Sequence, residues 1–321
     1  MKDSVAEETV DQVDVSPGVV GIDRPTRSPT QIAYAQFRKD KGALIGGAFV
    51  VFISLVAIFA PLLTKLEGHS PTSAYPDSLD DTGLPIGSLS GASGSHWLGL
   101  QPQIGYDLFA RLVYGARVSL GISLSATVLT VGLGAVIGAV AGFFPGKIDQ
   151  SITALMDLLL AFPSLLFTIA LVGIVPDWFP RPLLITLVFS GLGWPYIGRL
   201  VRTLVLSLRE REFVEAARVS GSGEWRIVFK EILPNLTGPL LTYGTLLIPG
   251  YIVAEAGLSF LGVGVKIPTA SWGGTLYYAS NYYSVDLFFL LGPALALFFT
   301  VFAFNLFGDG VAEAFNPKSR R

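Results

Sequence analysis

The sequence contains no cysteine, which excludes disulfide bonds, thiol catalysis and cysteine-based metal sites. Charge is also scarce: Asp, Glu, Lys and Arg make up 14% of the 321 residues, whereas soluble domains carry roughly 25%. The formal net charge of −2 argues against nucleic acid as a partner, because duplex binding needs a basic surface. With 51% hydrophobic residues, the composition is that of a membrane protein.

Residues for catalysis or nucleotide binding are scarce as well. The two histidines, His69 and His96, lie near no nucleophile in an ordered element, so the sequence predicts no enzyme. Their wide separation along the chain argues against zinc, and we predict no metal or cofactor on this chain. Residues 142–148 (G-F-F-P-G-K-I) do not match the phosphate-binding loop motif, because the two glycines are one residue too close together and Ile148 stands where the motif has Ser or Thr. Any energy from ATP must then come from a partner.

Long runs without charge are abundant. Six stretches lack any charged residue: 43–64, 118–146, 158–176, 182–198, 232–254 and 287–308. A spanning helix needs about 20 apolar residues, at roughly 1.5 Å each, to cross about 30 Å of hydrocarbon. The short fourth stretch extends to about Val205, because Arg199 and Arg202 can snorkel to the interface. The sequence therefore predicts an all-α integral membrane protein with six transmembrane helices.

The second stretch carries a stripe of small residues, Gly134, Gly138 and Gly142, at spacing four. Such a stripe lets two helices approach closely. The alternative is that these glycines only give an apolar helix more conformational freedom.

Lysine and arginine predict the orientation. Most of the 22 basic residues fall on one side of the membrane if the amino terminus is cytoplasmic, and basic residues accumulate on the cytoplasmic side. We therefore expect both termini inside.

This topology divides the chain into five parts. Residues 1–42 are an acidic disordered tail with a short surface helix, and residues 43–64 are the first transmembrane helix. Residues 65–116 form an extracytoplasmic loop rich in Ser, Gly, Pro and Asp. Residues 117–310 form a core of five transmembrane helices, and residues 311–321 a cytoplasmic tail.

A charged island interrupts the core on the predicted cytoplasmic side. Residues 213–220 and 224–231 each have the pattern of a short amphipathic helix. Gly221-Ser222-Gly223 between them supplies the backbone freedom for a tight turn. The pattern predicts a helix-turn-helix elbow at 211–234.

The first of these helices has the features of a docking surface. Ala216 and Ala217 leave a small-residue face beside the carboxylate of Glu215, which another protein can approach closely. The alternative is a solvated helix face on which Glu215 pairs with Arg211 or Arg218.

Carboxylates inside the apolar runs need a partner or a cavity, because burying a charge in the membrane is costly. Near the cytoplasmic side, Arg199 or Arg202 can satisfy Asp157. We predict that Glu255, toward the outer half, lines a translocation path or contacts a sister subunit. The aromatic residues of 268–286 form an interfacial belt or, alternatively, receive a solute-binding protein.

The elbow resembles the cytoplasmic coupling loop of ABC importer permeases, whose motif is E-A-A, three residues, Gly, and a later Leu-Pro pair. The matching residues are Glu215, Ala216, Ala217, Gly221, Leu233 and Pro234. One departure is Glu231, where the family pattern has Ile and this chain has Ile232 one position later.

Further stretches resemble the C-type permease subunit of oligopeptide/dipeptide ABC importers. They are 111–120 (R-L-V-Y-G-A-R-V-S-L), 157–166 (D-L-L-L-A-F-P-S-L-L), 193–202 (G-W-P-Y-I-G-R-L-V-R), 258–264 (L-S-F-L-G-V-G), 271–273 (S-W-G) and 303–310 (A-F-N-L-F-G-D-G). They occur in the family's order and cover nearly the whole chain. Residues 97–107 depart from it, because Leu100, Gln101 and Tyr106 replace polar or charged residues, which puts the outer mouth and the choice of solute in doubt.

The resemblance implies the type I ABC importer permease fold in a bacterial or archaeal inner membrane. It also implies three kinds of partner: a second homologous permease, two ATP-binding subunits that carry ATP and Mg, and an extracytoplasmic solute-binding protein. The cargo it implies is di- or oligopeptides. The alternatives are a nickel or other small-solute permease of the same superfamily, an ion-coupled secondary transporter, and a membrane scaffold that transports nothing.

Overall fold

The computed structural model describes residues 29–315. Residues 1–28 of the predicted tail 1–42 and residues 316–321 of the predicted tail 311–321 lie outside the described residues. Within the described part the chain is helical, and extended pairing is limited to isolated bridges in the outer loop. In chain order the α-helices are α1 (Pro29–Phe37), α2 (Lys41–Ile58), α3 (Ala60–Glu67), α4 (Leu108–Phe143), α5 (Lys147–Ala161), α6 (Ser164–Ile174), α7 (Arg181–Leu208), α8 (Glu212–Val219), α9 (Glu224–Arg226), α10 (Leu233–Asn235), α11 (Thr237–Phe260), α12 (Trp272–Ala279) and α13 (Leu287–Ala314).

Five of these helices, α2, α4, α7, α11 and α13, are long and apolar enough to cross a membrane. A sixth crossing is obtained if α5 and α6 form one broken span, because the pair passes the same test together with a bend of 84° between its halves. The all-helical membrane architecture is confirmed. The count of six spans stays a prediction.

The bend between α5 and α6 departs from the single span expected over 158–176. At the break, Phe162 adopts an extended conformation with φ −80° and ψ 137°, and Pro163 follows it. Proline disfavours helical geometry in the residue before it and has no N–H to donate to the preceding turn. The A-F-P sequence therefore ends α5 and redirects the chain.

Helix α4 begins at Leu108, inside the stretch expected to be loop. Asp107 caps it, since its Oδ1 accepts a hydrogen bond from the backbone N of Ala110 at 2.8 Å. Arg111, in the first turn, is nevertheless buried. Its guanidinium donates to the carbonyls of Pro71 and Pro268 at 3.2 and 3.4 Å, which is how a buried charge is accommodated in the first turn of α4.

The glycine stripe packs α4 tightly against α7, as predicted. A Cβ on Gly138 would lie 2.4 Å from the carbonyl oxygen of Gly198, and one on Gly134 would lie 2.6 Å from the Cβ of Ile197. Gly142 meets the carbonyl oxygen of Arg202 in the same way, at 2.7 Å. The two helices touch at three positions about one turn apart, so α4 and α7 behave as one rigid unit.

Candidate functional site: a helix-turn-helix elbow between two spans

The elbow forms between α7 and α11, where the sequence predicted it. Gly221 ends the turn after α8 with φ +80°, a conformation that residues with a Cβ disfavour. A π-helical turn, Ile227–Ile232, follows α9 and leads into α10. Pro234 stands just beyond this wide turn and has no N–H to offer the preceding carbonyls.

One face of the elbow is buried against the long helices. The cluster combines residues of the elbow with residues of α4 and α7: Val214, Ile227, Val228, Ile232, Phe143, Val201 and Val205. Arg218 reinforces this contact, since its guanidinium lies 5.6 Å from the ring centroid of Phe143. The elbow is therefore attached to the C-terminal ends of α4 and α7 by side-chain packing as well as by the chain.

The other face is exposed and partly apolar. Glu215 and Ala216 face solvent, and Ala217 is half-buried. Val219, at the end of α8, is 90% exposed, and Trp225 is more than half exposed. Apolar side chains grouped on an exposed turn are typical of a surface that contacts another protein.

The structure does not show the alternative in which Glu215 forms an ion pair with a basic residue of its own helix. Among residues 29–315 no ion pair involves Glu215, and Arg218 lies nearest to Glu224, at 3.9 Å across the turn. The carboxylate of Glu215 is consequently available to a partner.

The remaining matched residues, Leu233 and Pro234, lie in α10. Leu233 is half-buried beside the cluster that anchors the elbow. Pro234 is exposed at the start of α10. The six motif residues thus occupy one elbow, with Glu215, Ala216 and Gly221 on its free side.

Glu255 lies away from the elbow and is completely buried within α11. Its carboxylate accepts hydrogen bonds from the hydroxyls of Ser119 at 2.7 Å and Ser259 at 2.8 Å. Ser119 is in α4, and its oxygen also accepts from the backbone N of Trp272 at 3.4 Å. In this conformation Glu255 joins α4, α11 and α12 and reaches no surface, so its contact with a path or a sister subunit stays a prediction.

The outer loop brings together two histidines that the sequence separates. The rings of His69 and His96 stack with centroids 4.3 Å apart, and His96 Nδ1 donates to Asp107 at 2.8 Å. The donor atoms of these three residues lie within 4.8 Å of one another and are of the kinds that zinc binds. His69 already uses both nitrogens, on the Tyr75 hydroxyl and the Ser95 carbonyl, so hydrogen bonding accounts for the cluster and we assign no metal.

Glu67 borders this cluster and shares its environment. Burial raises the pKa of Glu67 to about 7, and the neighbouring carboxylate of Asp107 adds to the rise. The backbone N of Trp97 donates a hydrogen bond to the Glu67 carboxylate, which opposes this rise in pKa. This juxtaposition depends on how the loop folds, and no spacing in the sequence signals it.

Comparison with known proteins defines the class. Residues 134–321 match the family model for the inner membrane component of binding-protein-dependent transport systems, and residues 28–81 match the N-terminal transmembrane domain of oligopeptide transport permease C. The chain therefore belongs to the family of binding-protein-dependent transport permeases, which are transport subunits. Members of this family work with an ATP-hydrolysing partner and a solute-binding protein.

Curated relatives narrow the class further. The chain is 36% identical to the dipeptide transport system permease of Alkalihalophilus pseudofirmus over 91% of each chain. It is 36% identical to the oligopeptide transport system permease of Bacillus subtilis over 90% of each chain. A di/tripeptide transport system permease of Pseudomonas aeruginosa is 35% identical over 91% of this chain and 93% of its own. The resemblance to C-type peptide ABC permeases is confirmed.

Proposed function

We propose that this chain is the membrane-spanning permease subunit of an ATP-driven importer that takes up di- and oligopeptides. With a second homologous permease it forms the path, and an extracytoplasmic binding protein delivers the cargo. Two partner subunits bind ATP and Mg and supply the energy. The relatives named for dipeptides, di/tripeptides and oligopeptides support a peptide cargo. Both termini and the elbow face the cytoplasm in this proposal, with the protein in the inner membrane of a bacterium or archaeon.

The observation that carries the proposal is the division of the elbow into an anchored face and a free face. Val214 is fully buried in the cluster that α4 and α7 form, whereas Val219, five residues later, projects into solvent. A short, rigid projection with an exposed apolar tip and a carboxylate beside it fits a groove on a partner protein. The partner in this proposal is an ATP-hydrolysing subunit.

Movement passes from the elbow to the membrane through the same cluster. Ile227 and Ile232 of the elbow pack with Val201 and Val205 of α7. Since α4 touches α7 along the glycine stripe, displacement of the elbow carries both helices. The closing of the partner subunits around ATP thus becomes a change in the path between the two permeases.

Two substitutions on the free side of the elbow test this role. Glu215→Lys reverses the available charge, and Gly221→Trp adds a large side chain in open space and strains a backbone held at φ +80°. We expect both variants to enter the membrane and to lose ATP-dependent uptake, measured in proteoliposomes that hold the whole complex. Glu210→Lys is the matched control, because it makes the same charge change on an exposed residue outside α8. Uptake at the normal rate by both elbow variants would refute the coupling role.

The cargo is tested separately. The complex with its binding protein is offered a labelled dipeptide or labelled nickel, and we expect ATP-dependent uptake of the dipeptide alone. Uptake of nickel in place of the dipeptide would favour the small-solute alternative. Uptake by this chain alone, driven by an ion gradient, would favour a secondary transporter.

A further inference from the structure

The exposed side of α7 carries polar residues at helical spacing. Tyr196, Arg199 and Thr203 are exposed on one stripe, while Ile197 and Val201 are buried on the side that faces α4. Arg199 lies roughly 14 Å before the end of α7, at about 1.5 Å per residue. An exposed guanidinium at this depth is unfavourable against lipid, and such residues usually face a cavity, water or another chain. A polar stripe of this kind is typical of a helix side that lines a path or contacts another subunit.

Arg199 donates a hydrogen bond to Asp157 of α5, one of the two pairings expected from the sequence. The two side chains are 55% and 58% exposed. One turn further in, Arg202 and Asp149 join the same two helices through bonds of 2.5 and 2.7 Å, and their side chains are only 27% and 18% exposed. The inner pair fastens α5 to α7, whereas the outer pair is open to the surroundings. Exposed ion pairs contribute little to stability, so the outer pair can exchange partners easily.

A cavity of about 310 Å³ is lined by residues that neighbour this ion pair in sequence, Leu159 and Leu160 of α5 and Tyr196 of α7. It lies where α6 bends away from α5, and its lining is mainly apolar and aromatic, with Phe162, Leu165, Tyr196 and Tyr251 among its walls. The charged pair lies near these apolar walls, since Asp157 precedes Leu159 by two residues and Arg199 follows Tyr196 by three. Small-molecule sites combine apolar walls with a few polar groups that orient the ligand.

The back wall of the cavity is fixed in place. The Tyr251 hydroxyl shares a hydrogen bond with Thr130 at 2.8 Å, and its ring stacks on Phe189 with centroids 5.2 Å apart. Gly193 leaves the room for it, since a Cβ there would lie 2.1 Å from the hydroxyl oxygen. A wall held by contacts from α4 and α7 gives the cavity a defined shape.

We propose that this cavity and the Asp157–Arg199 pair form a transient binding subsite for the peptide within the path. An apolar peptide side chain enters the cavity. The ion pair parts, so that Asp157 accepts hydrogen bonds from a peptide ammonium group and Arg199 donates to a peptide carboxylate. A peptide with free termini carries both charges, which matches the pair. This proposal rests on the peptide cargo proposed above.

The absence of cysteine from the chain makes accessibility a direct test. In the assembled complex, we expect Tyr196→Cys to react with a membrane-impermeant thiol reagent in one nucleotide state, and transported dipeptide to slow the reaction. The control is Val128→Cys on α4, at a 70% exposed position among other exposed apolar residues, which we expect to stay unreactive. If Tyr196→Cys is unreactive both without nucleotide and with ATP, lipid or the second permease covers the stripe and the proposal fails.

A second test separates peptide contact from structural support. We expect Asp157→Asn and Arg199→Gln to move several-fold fewer peptides per ATP hydrolysed, with ATP hydrolysis retained. Asp149→Asn, which weakens the inner pair, is expected to lower the yield of assembled complex without changing that ratio. An unchanged ratio in both outer-pair variants would overturn the subsite. If the wild-type complex itself takes up no peptide, the proposed function fails instead.

Discussion

The contact between α4 and α7 can be tested by adding a single methyl group. In Gly138→Ala the new Cβ would lie 2.4 Å from the carbonyl oxygen and 2.9 Å from the Cα of Gly198. Both are backbone atoms that no rotamer change can move, and ordinary contact begins at 3.4 Å. The helices must therefore separate by about 1 Å, and overpacking of this kind costs typically 1–3 kcal/mol. A loss of about 2 kcal/mol is a roughly 30-fold drop in the ratio of folded to unfolded protein.

Alanine substitutions at two further glycines are expected to have smaller effects on stability. Gly198→Ala would bring its Cβ within 2.6 Å of Met156 Cε, the end of a flexible side chain, so we expect a smaller loss. Gly121→Ala on the same α4 meets nothing within 4 Å, and the gain in helix propensity, up to about 1 kcal/mol, leaves it neutral or stabilising. Thermal unfolding of the purified variants in detergent gives the order of their stabilities. If Gly138→Ala is as stable as Gly121→Ala, the close approach of α4 and α7 is refuted.

Two other predictions concern polar contacts outside the elbow. Ser119→Ala leaves the buried Glu255 carboxylate short of one donor, so we expect a loss of about 1–3 kcal/mol in thermal unfolding, and wild-type stability would contradict the network. Hydrogen bonds from Arg181, then Lys266, hold the pKa of Asp177 below its usual value. Their contribution is present near neutral pH and is lost as the pH falls through that lowered pKa. We therefore expect hydrogen exchange in the loop before α7 to rise on acidification in the wild type but not in Asp177→Asn. A pH response that persists in this variant would refute the assignment.

Most of the fold could be predicted from the long uncharged hydrophobic stretches of the sequence. Spacing predicted the glycine stripe because a close helix contact needs small residues at fixed intervals. The elbow was predictable for a similar reason, since Gly221 sits between two short amphipathic patterns and adopts the positive φ that such a turn needs. These features depend on local sequence.

The run 158–176 has the composition of one apolar span, but the local A-F-P sequence ends α5 and bends the chain at Pro163. The other features that the sequence did not predict depend on tertiary context. Residues 108–116 were expected to be loop but belong to α4, where the carbonyls of two distant segments satisfy the buried charge of Arg111. The contact of His69 with His96 and the enclosure of Glu255 by Ser119 likewise join residues that no pattern connects.

Crosslinking from the tip of the elbow tests the central claim most directly. A photoreactive thiol reagent is attached to Val219→Cys, which is 90% exposed at the end of α8, or to Trp178→Cys, which is 80% exposed between α6 and α7. In the assembled complex we expect Val219→Cys to crosslink to the ATP-hydrolysing subunit and Trp178→Cys not to do so. A crosslink to that subunit from Trp178→Cys alone, or labelling of Val219→Cys from outside the cell, would contradict the account.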